Sequence, residues 1–365
     1  MFRLALIFIF SVVSGLAGAE SLTTNSGSAR VTAMVKGLDT PWAIGILPDM
    51  SFLVTERDGE LLFVSKGNIV RVKGTPNVVA KGQGGLLDVT VARDFSQSRE
   101  VFLTYSKPQP KGAGTALAIA RLSEDGSELT DLRTVFEADN GGDSGRHFGS
   151  RIVEAKDGTL LVTIGDRGDR PTAQDRSSHN GSVIRVNRDG SVPADNPFVG
   201  QQGIQPEIWS YGHRNPQGAG LDARGHLWVS EHGAKGGDEV NLIRPGRNYG
   251  WPVISYGKHY SGQTIGEGTA KPGMVQPEFY WDPSIAPSGL LIYSGKLWPE
   301  WKGDLFVGSL KFDYIARLEG IPLTEVEQIK GPQTERVRDI VEAPDGSIWF
   351  VSVGQGTVFR MTPSD

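Results

Sequence analysis

The chain has no cysteine among its 365 residues. Disulfides and thiolate metal sites are therefore excluded, leaving the apolar core, aided by any bound hard cation, to hold the fold. Zinc has no foothold either: HExxH is missing, His179, His226, His232 and His259 lack metal-ligand spacing, and His213 beside Arg214 reads as structural. Nicotinamide chemistry would call for GxGxxG and a β-α alternation, and neither occurs. Positive charge is in deficit. Lys plus Arg total 37 against 42 Asp plus Glu, a net charge of −5, which argues against a nucleic acid partner. Past the N-terminus no segment is long and apolar enough to cross a membrane.

What is plentiful is glycine, at 48, and proline, at 21. Those residues fix turns, so many short strands are expected, and a hydrophobic content of 38% is that of a packed protein. The N-terminus reads differently. Arg3 supplies a positive start, Leu4 to Val13 is nearly unbroken apolar sequence, and Ala17-Gly18-Ala19 gives a small-x-small cleavage pattern. Residues 1–19 thus read as a cleavable signal peptide, and residues 20–365 as one periplasmic or secreted domain. An uncleaved anchor is the alternative, but the run falls short of the ~20 residues a span needs. Cleavage removes one positive charge, Arg3, taking the net charge from −5 to −6.

A weak internal repeat organises the rest. A short apolar strand recurs six times: Met50–Glu56, Glu100–Ser106, Gly158–Asp166, Gly225–Glu231, Gly303–Leu310 and Gly346–Val353. An apolar segment precedes each copy, from Trp42–Leu47 in the first to Ile340–Val341 in the last, and a further strand-like segment follows it. Asp157-Gly158 and Asp345-Gly346 are hairpin dipeptides. Six such units predict an all-β fold, a six-bladed β-propeller of mostly four-stranded antiparallel blades. Arg30–Val35 would add an outer strand to the last blade and close the ring. A β-sandwich is the competing architecture and fits six hairpin pairs with long insertions less well.

Propellers gather chemistry where loops converge on the axis. Residues entering the inner strands include Gln83, His147, Arg214, Asn215, Arg336 and Arg338; those leaving include Asp166, Glu231 and Lys311. Read alone, His147 is a base or a hydrogen-bonded structural residue, and Arg336 and Arg338 are a ligand clamp or surface arginines alternating on a strand. Asp238 and Glu239 are metal ligands or solvated turn charges.

The most specific run is Gly212-His213-Arg214-Asn215-Pro216-Gln217-Gly218, then Ser230-Glu231-His232-Gly233, Gly236-Gly237-Asp238-Glu239-Val240-Asn241 and Asn248-Tyr249-Gly250-Trp251-Pro252. Flanking it are Gly82-Gln83-Gly84-Gly85-Leu86-Leu87-Asp88 and Gly145-Arg146-His147-Phe148-Gly149-Ser150-Arg151. This order resembles the soluble aldose sugar dehydrogenases that depend on pyrroloquinoline quinone (PQQ), in their shorter, broad-specificity branch, over nearly the whole mature chain. The resemblance implies oxidation of an aldose at C1 to the lactone, with PQQ and calcium as cofactors and a periplasmic electron acceptor. It implies that His147 is the general base, oriented by Asp166. It implies that Gln83, Arg214, Asn215, Tyr260, Lys311, Arg336 and Arg338 hold PQQ. Calcium would take the carbonyls of Gly233, Ala234 and Tyr249 and the acidic pair Asp238 and Glu239. Arg forks suit the three PQQ carboxylates. Two positions depart from the glucose-oxidising branch: Arg146 replaces an aspartate and Ala234 a proline. A calcium-dependent lactonase or a non-enzymatic binding propeller are the alternatives, and neither has a use for four converging cations. No edge or patch argues for a dimer, so a monomer is expected.

Overall fold

The six repeated strands are apolar over most of their length because both faces of each are covered. Phe52–Glu56, Leu160–Ile164, Leu305–Ser309 and Ile348–Ser352 are buried at every position. An antiparallel sheet with one wet face would alternate instead. In the computed structural model, which describes residues 20–139 and 141–364, each of these strands is the second of a separate antiparallel sheet. The predicted signal peptide, residues 1–19, lies outside the described residues. Among the described residues no helix is long and apolar enough to cross a membrane.

The sheets are the blades of a propeller. Their first strands are Pro41–Ile46, Leu86–Val91, Ile152–Glu154, Pro216–Leu221, Pro287–Ile292 and Val337–Glu342, for blades 1 to 6. Each first strand contacts the first strands of the two neighbouring blades, blade 6 returning to blade 1. Six apolar clusters fill the six interfaces between adjacent blades. The ring closes where predicted: Gly27–Val35 pairs with Thr357–Pro363 of blade 6. Glu20–Thr24 then pairs with Gly27–Val35, so blade 6 has five strands and the other blades four.

First strands carry the features that position the site. In blades 1, 2, 4, 5 and 6 the pairing to the second strand slips near its start. Such a bulge leaves a residue unpaired and re-aims its side chain. Trp42, Gln217 and Arg338 occupy the slipped positions of blades 1, 4 and 6, and all three line the axial cavity.

Below them a buried ion cluster crosses the axis. The Arg151 guanidinium (blade 3) lies 2.8 Å from both Asp88 Oδ1 (blade 2) and Asp339 Oδ1 (blade 6). Asp339 accepts from the Ile44 amide of blade 1 at 2.9 Å, and Arg151 Nε donates to the Gln217 carbonyl of blade 4 at 3.2 Å. Five blades are thereby tied to one point.

Candidate functional site

Above the brace the axis opens into a cavity of about 1000 Å³. Its lining includes Arg57, Lys235, Lys258, Lys311, Arg336 and Arg338, against the single carboxylate of Asp282. A chain with more acid than base has concentrated cations at one mouth, which suits an anionic ligand.

His147 sits in the loop ahead of blade 3 with φ of 57°, a left-handed backbone unusual for a residue with a Cβ. Three contacts hold it there. Its amide donates to Gln83 Oε1 at 2.7 Å, and its carbonyl accepts from the Arg167 amide at 3.3 Å. Gly165 lets the loop lie flat, since a Cβ there would stand 2.2 Å from the His147 carbonyl oxygen. The imidazole is nearly buried, and Nδ1 is 2.6 Å from Asp166 Oδ1. Asp166 follows the second strand of blade 3 and is wholly buried. It also accepts from the Gly168 amide at 2.7 Å and from Trp251 Nε1 at 2.8 Å. Burial works to raise its carboxyl, but the His147 bond, the His147 charge and the other donors outweigh burial and hold it below the ordinary range. An ionised carboxylate only accepts, so Nδ1 carries the proton and Nε2 is left as an acceptor. Burial, aided by the Arg214 charge, outweighs Asp166 and lowers the imidazole below its usual value. A neutral ring at neutral pH is what a general base requires.

Six of the seven predicted cofactor residues line this cavity, with different burial, and Arg214 borders the small void that shares His232 and Gly233 with it. Arg214 is buried; its amide donates to Glu231 Oε2 at 2.8 Å, its Nη1 to the His232 carbonyl at 3.2 Å, and its Nε has no partner. Asn215 Oδ1 accepts from Gln217 Nε2 at 3.2 Å and from the Gly149 amide at 3.3 Å. Gln217 Oε1 in turn accepts from Arg338 Nη1 at 2.8 Å. Arg338 is pushed down to about 9, first by burial and then by the charges of Arg151, Arg336 and Arg57. Of these, Arg151 is paired with Asp88 and Asp339, whereas Arg57, Arg336 and Arg338 have no ion pair among the described residues. Gln83, Lys311 and Arg336 stand at the exposed mouth. Tyr260 is 71% exposed and lines the same cavity.

The acidic turn is built otherwise. Asp238 Oδ1 accepts from the Gly233 amide at 2.8 Å, and Oδ2 from Ser284 Oγ at 2.7 Å and the Ala286 amide at 2.9 Å. Both oxygens thus serve to shape the turn, and burial raises the carboxyl. Gly233 and Ala234 line the cavity directly. The turn is tight, as a Cβ at Gly233 would meet the Gly236 carbonyl oxygen at 2.2 Å. Glu239 lies on the far side, in a small void shared with Glu231 and Tyr249. Burial first, then the neighbouring Glu231 charge, pushes Glu239 up to about 8. Tyr249 is fixed there by its amide bond to the Tyr211 carbonyl at 2.8 Å and by stacking on His213. Among the described residues no three acidic or histidine side chains gather as metal ligands. A cation here would draw on the carbonyls of Gly233, Ala234 and Tyr249 and on Glu239.

Sequence reasoning passed over three residues of the site. Trp251 appeared only as a member of the Asn248–Pro252 motif, yet it bonds Asp166. His232 appeared only as a histidine without spacing, yet it lines the cavity with Nε2 unpartnered, and burial, then Arg214 and Arg338, press it down to about 3. Gln217 joins Asn215 to Arg338. All three stand inside quoted motifs, which was the only signal available.

Comparison with known proteins agrees with this architecture. The family model described as glucose/sorbosone dehydrogenase matches residues 38–360. The aldose sugar dehydrogenase YliI of Escherichia coli (strain K12) is 40% identical over 364 residues, 97% of this chain and 98% of that protein. The crystal structure of the soluble aldose sugar dehydrogenase from Escherichia coli in its apo-form superposes with a TM-score of 0.89 at 40% identity, over 92% of this chain and 100% of that one. The PQQ-bound aldose sugar dehydrogenase of Streptomyces coelicolor gives a TM-score of 0.75 at 25% identity, over 92% and 98% of the two chains. This chain belongs to the glucose/sorbosone dehydrogenase family.

Proposed function

We propose that this protein is a PQQ- and calcium-dependent aldose sugar dehydrogenase that oxidises the C1 hemiacetal to the lactone, with His147 as general base. The observation that carries the reading is a buried, carboxylate-paired imidazole directly beside the lining residues Phe148, Gly149 and Gln83 of a cavity whose charges are almost all positive. The residues present fit the cofactors. The unpartnered Arg214 Nε and the crowded, depressed Arg338 are what a tricarboxylate would relieve. The raised Glu239 beside Glu231 is what a divalent cation would relieve.

Arg214, Arg336, Arg338 and Lys311 would hold the carboxylates, with Gln83, Asn215 and Tyr260 fixing the plane of the ring. Gly233 and Ala234 carbonyls would hold calcium against it, and Glu239 and the Tyr249 carbonyl a structural calcium; Asp238 contributes by shaping the turn. When bound, PQQ supplies a quinone carbonyl that accepts hydride, and calcium polarises that carbonyl. The chain's own part is proton handling. His147 Nε2 takes the proton of the C1 hydroxyl, and Asp166 keeps Nδ1 protonated and stabilises the imidazolium that forms. Residues 1–19 would deliver the protein to the periplasm, where a soluble redox carrier takes the electrons.

The test is reconstitution. Purified apo-protein mixed with PQQ, calcium, glucose and an artificial electron acceptor is expected to reduce the dye, and to stop when either cofactor is withheld. Lactone hydrolysis indifferent to PQQ, with no dye reduction, would instead assign a lactonase.

A further inference from the structure

We propose that Trp251 is a positioning residue for the base: its indole N–H fixes the Asp166 carboxylate and draws off part of its charge. The proposal rests on the reading of His147 as base. Asp166 is wholly buried, so bulk solvent does not reach its oxygens. Oδ1 receives His147 Nδ1 at 2.6 Å and the Gly168 amide at 2.7 Å; Oδ2 receives Trp251 Nε1 at 2.8 Å. Were Oδ2 bare, it would carry the full cost of an unsatisfied buried acceptor. The carboxylate could also turn about its Cβ–Cγ bond and change what it offers His147. The indole prevents both.

The indole N–H is not needed to build its own loop. The Trp251 amide donates to the Gly212 carbonyl at 2.9 Å, and its carbonyl accepts from Gln174 Nε2 at 2.7 Å. The ring packs with Ala173, Ala234 and Ile265, and the guanidinium carbons of Arg170 and Arg214 each lie 5.3 Å from it. A phenyl ring would keep an apolar π face there and delete the donor, with some loss of ring volume for which the melting comparison controls. The charged and titratable groups around His147 are Asp166, Arg214, Arg146, Arg167 and His232. Trp251 is the only side chain besides His147 with a hydrogen bond to Asp166 among the described residues.

The sign follows from charge. A carboxylate relieved by a donor attracts the imidazolium less, so the bond to Trp251 lowers the proton affinity of His147. Trp251→Phe is expected to raise that affinity about three- to tenfold, the worth of one hydrogen bond. The primary readout is the NMR titration of the His147 ring in apo-protein, which needs no cofactor. In the loaded enzyme the acid limb of kcat/KM should move to higher pH by the same factor, with sugar KM within about twofold. An unmoved His147 titration in a variant that melts like the parent would overturn the proposal. If the variant does not fold, the parent decides: the Trp251 indole N–H resonance should shift with the same midpoint as His147, and a flat response refutes the coupling. Loaded enzyme that never oxidises sugar would sink the dehydrogenase reading while the apo titration still judged Trp251.

Discussion

At the scale of single residues, the site separates two demands that conflict in water. The base must be neutral before it acts and stabilised as a cation afterwards. Burial and the Arg214 charge enforce the first on His147, and the buried Asp166 carboxylate provides the second. Removing the ring leaves the cationic cavity untouched, because none of the cavity-lining cations hydrogen-bonds to it. His147→Ala is therefore expected to keep PQQ, measured by spectral titration, and to lose kcat by about 10²–10⁴. A loss under about tenfold would show that another group takes the proton. The pairing of His147 with Asp166 was legible through the family resemblance; strand position alone marked each as a residue at the mouth of a blade and left the role of His147 open. Trp251 was not legible, since its partner is 85 positions away and an indole nitrogen has no sequence signature. Arg336 and Arg338 were legible as a pair but not as unlike partners. Arg336 stands at the exposed mouth, while the bulge turns Arg338 down into the cavity to meet Gln217.

At the scale of elements, the second strands could be read off directly because burial on both faces makes them mostly apolar. First strands were harder. In blades 4, 5 and 6 they start on polar or glycine-containing sequence, as in Val337-Arg338-Asp339, where only Ile340-Val341 looked strand-like, yet the strand runs Val337–Glu342. The outer hairpin was half legible. Gly27–Val35 carries the apolar alternation, whereas Glu20–Thr24 is mostly polar and buries only Leu22 and Thr24. Leu22 joins the cluster between blades 5 and 6 with Trp301, Phe306 and Ile329, at 1% exposure. Leu22 is the strand's apolar anchor to the neighbouring blade, beside the hydrogen bonds of Glu20 with Gln333 and of Asn25 with Glu327. Leu22→Ala should cost about 2–5 kcal/mol in urea unfolding, the range for deleting a buried leucine, with sugar oxidation at room temperature unchanged. A cost below about 0.5 kcal/mol would mean that the fifth strand is an ornament on a ring already closed by Gly27–Val35.

At the scale of the whole molecule, a ring of six blades without disulfides has two places to fail, its seam and its axis. The hairpin guards the seam. The axis depends on Arg151, the one cation that bridges the buried carboxylates of Asp88 and Asp339. Burial already raises Asp88 to about 6 with the guanidinium present, and raises Asp339 as well. A carboxyl raised in the folded state binds its proton more tightly there than in the unfolded chain, so its contribution is largest at low pH and is lost as pH rises through the folded value. Arg151→Met removes the largest attraction opposing that rise and leaves only backbone amides and the Arg338 charge against it. It should cost about 3–5 kcal/mol near neutrality, the penalty of breaking a buried pair from one side. The deficit should be larger at about pH 8 than at about pH 5, where both carboxyls take up protons and need no partner. Adding Asp88→Asn should return part of the loss, because one uncompensated charge then leaves the axis with the cation. Urea midpoints of the parent, the single variants and the double variant at those two pH values decide the matter. A deficit independent of pH, with nothing recovered in the double variant, would mean that Arg151 acts by packing on Trp42, 4.6 Å from its guanidinium carbon, and not by charge.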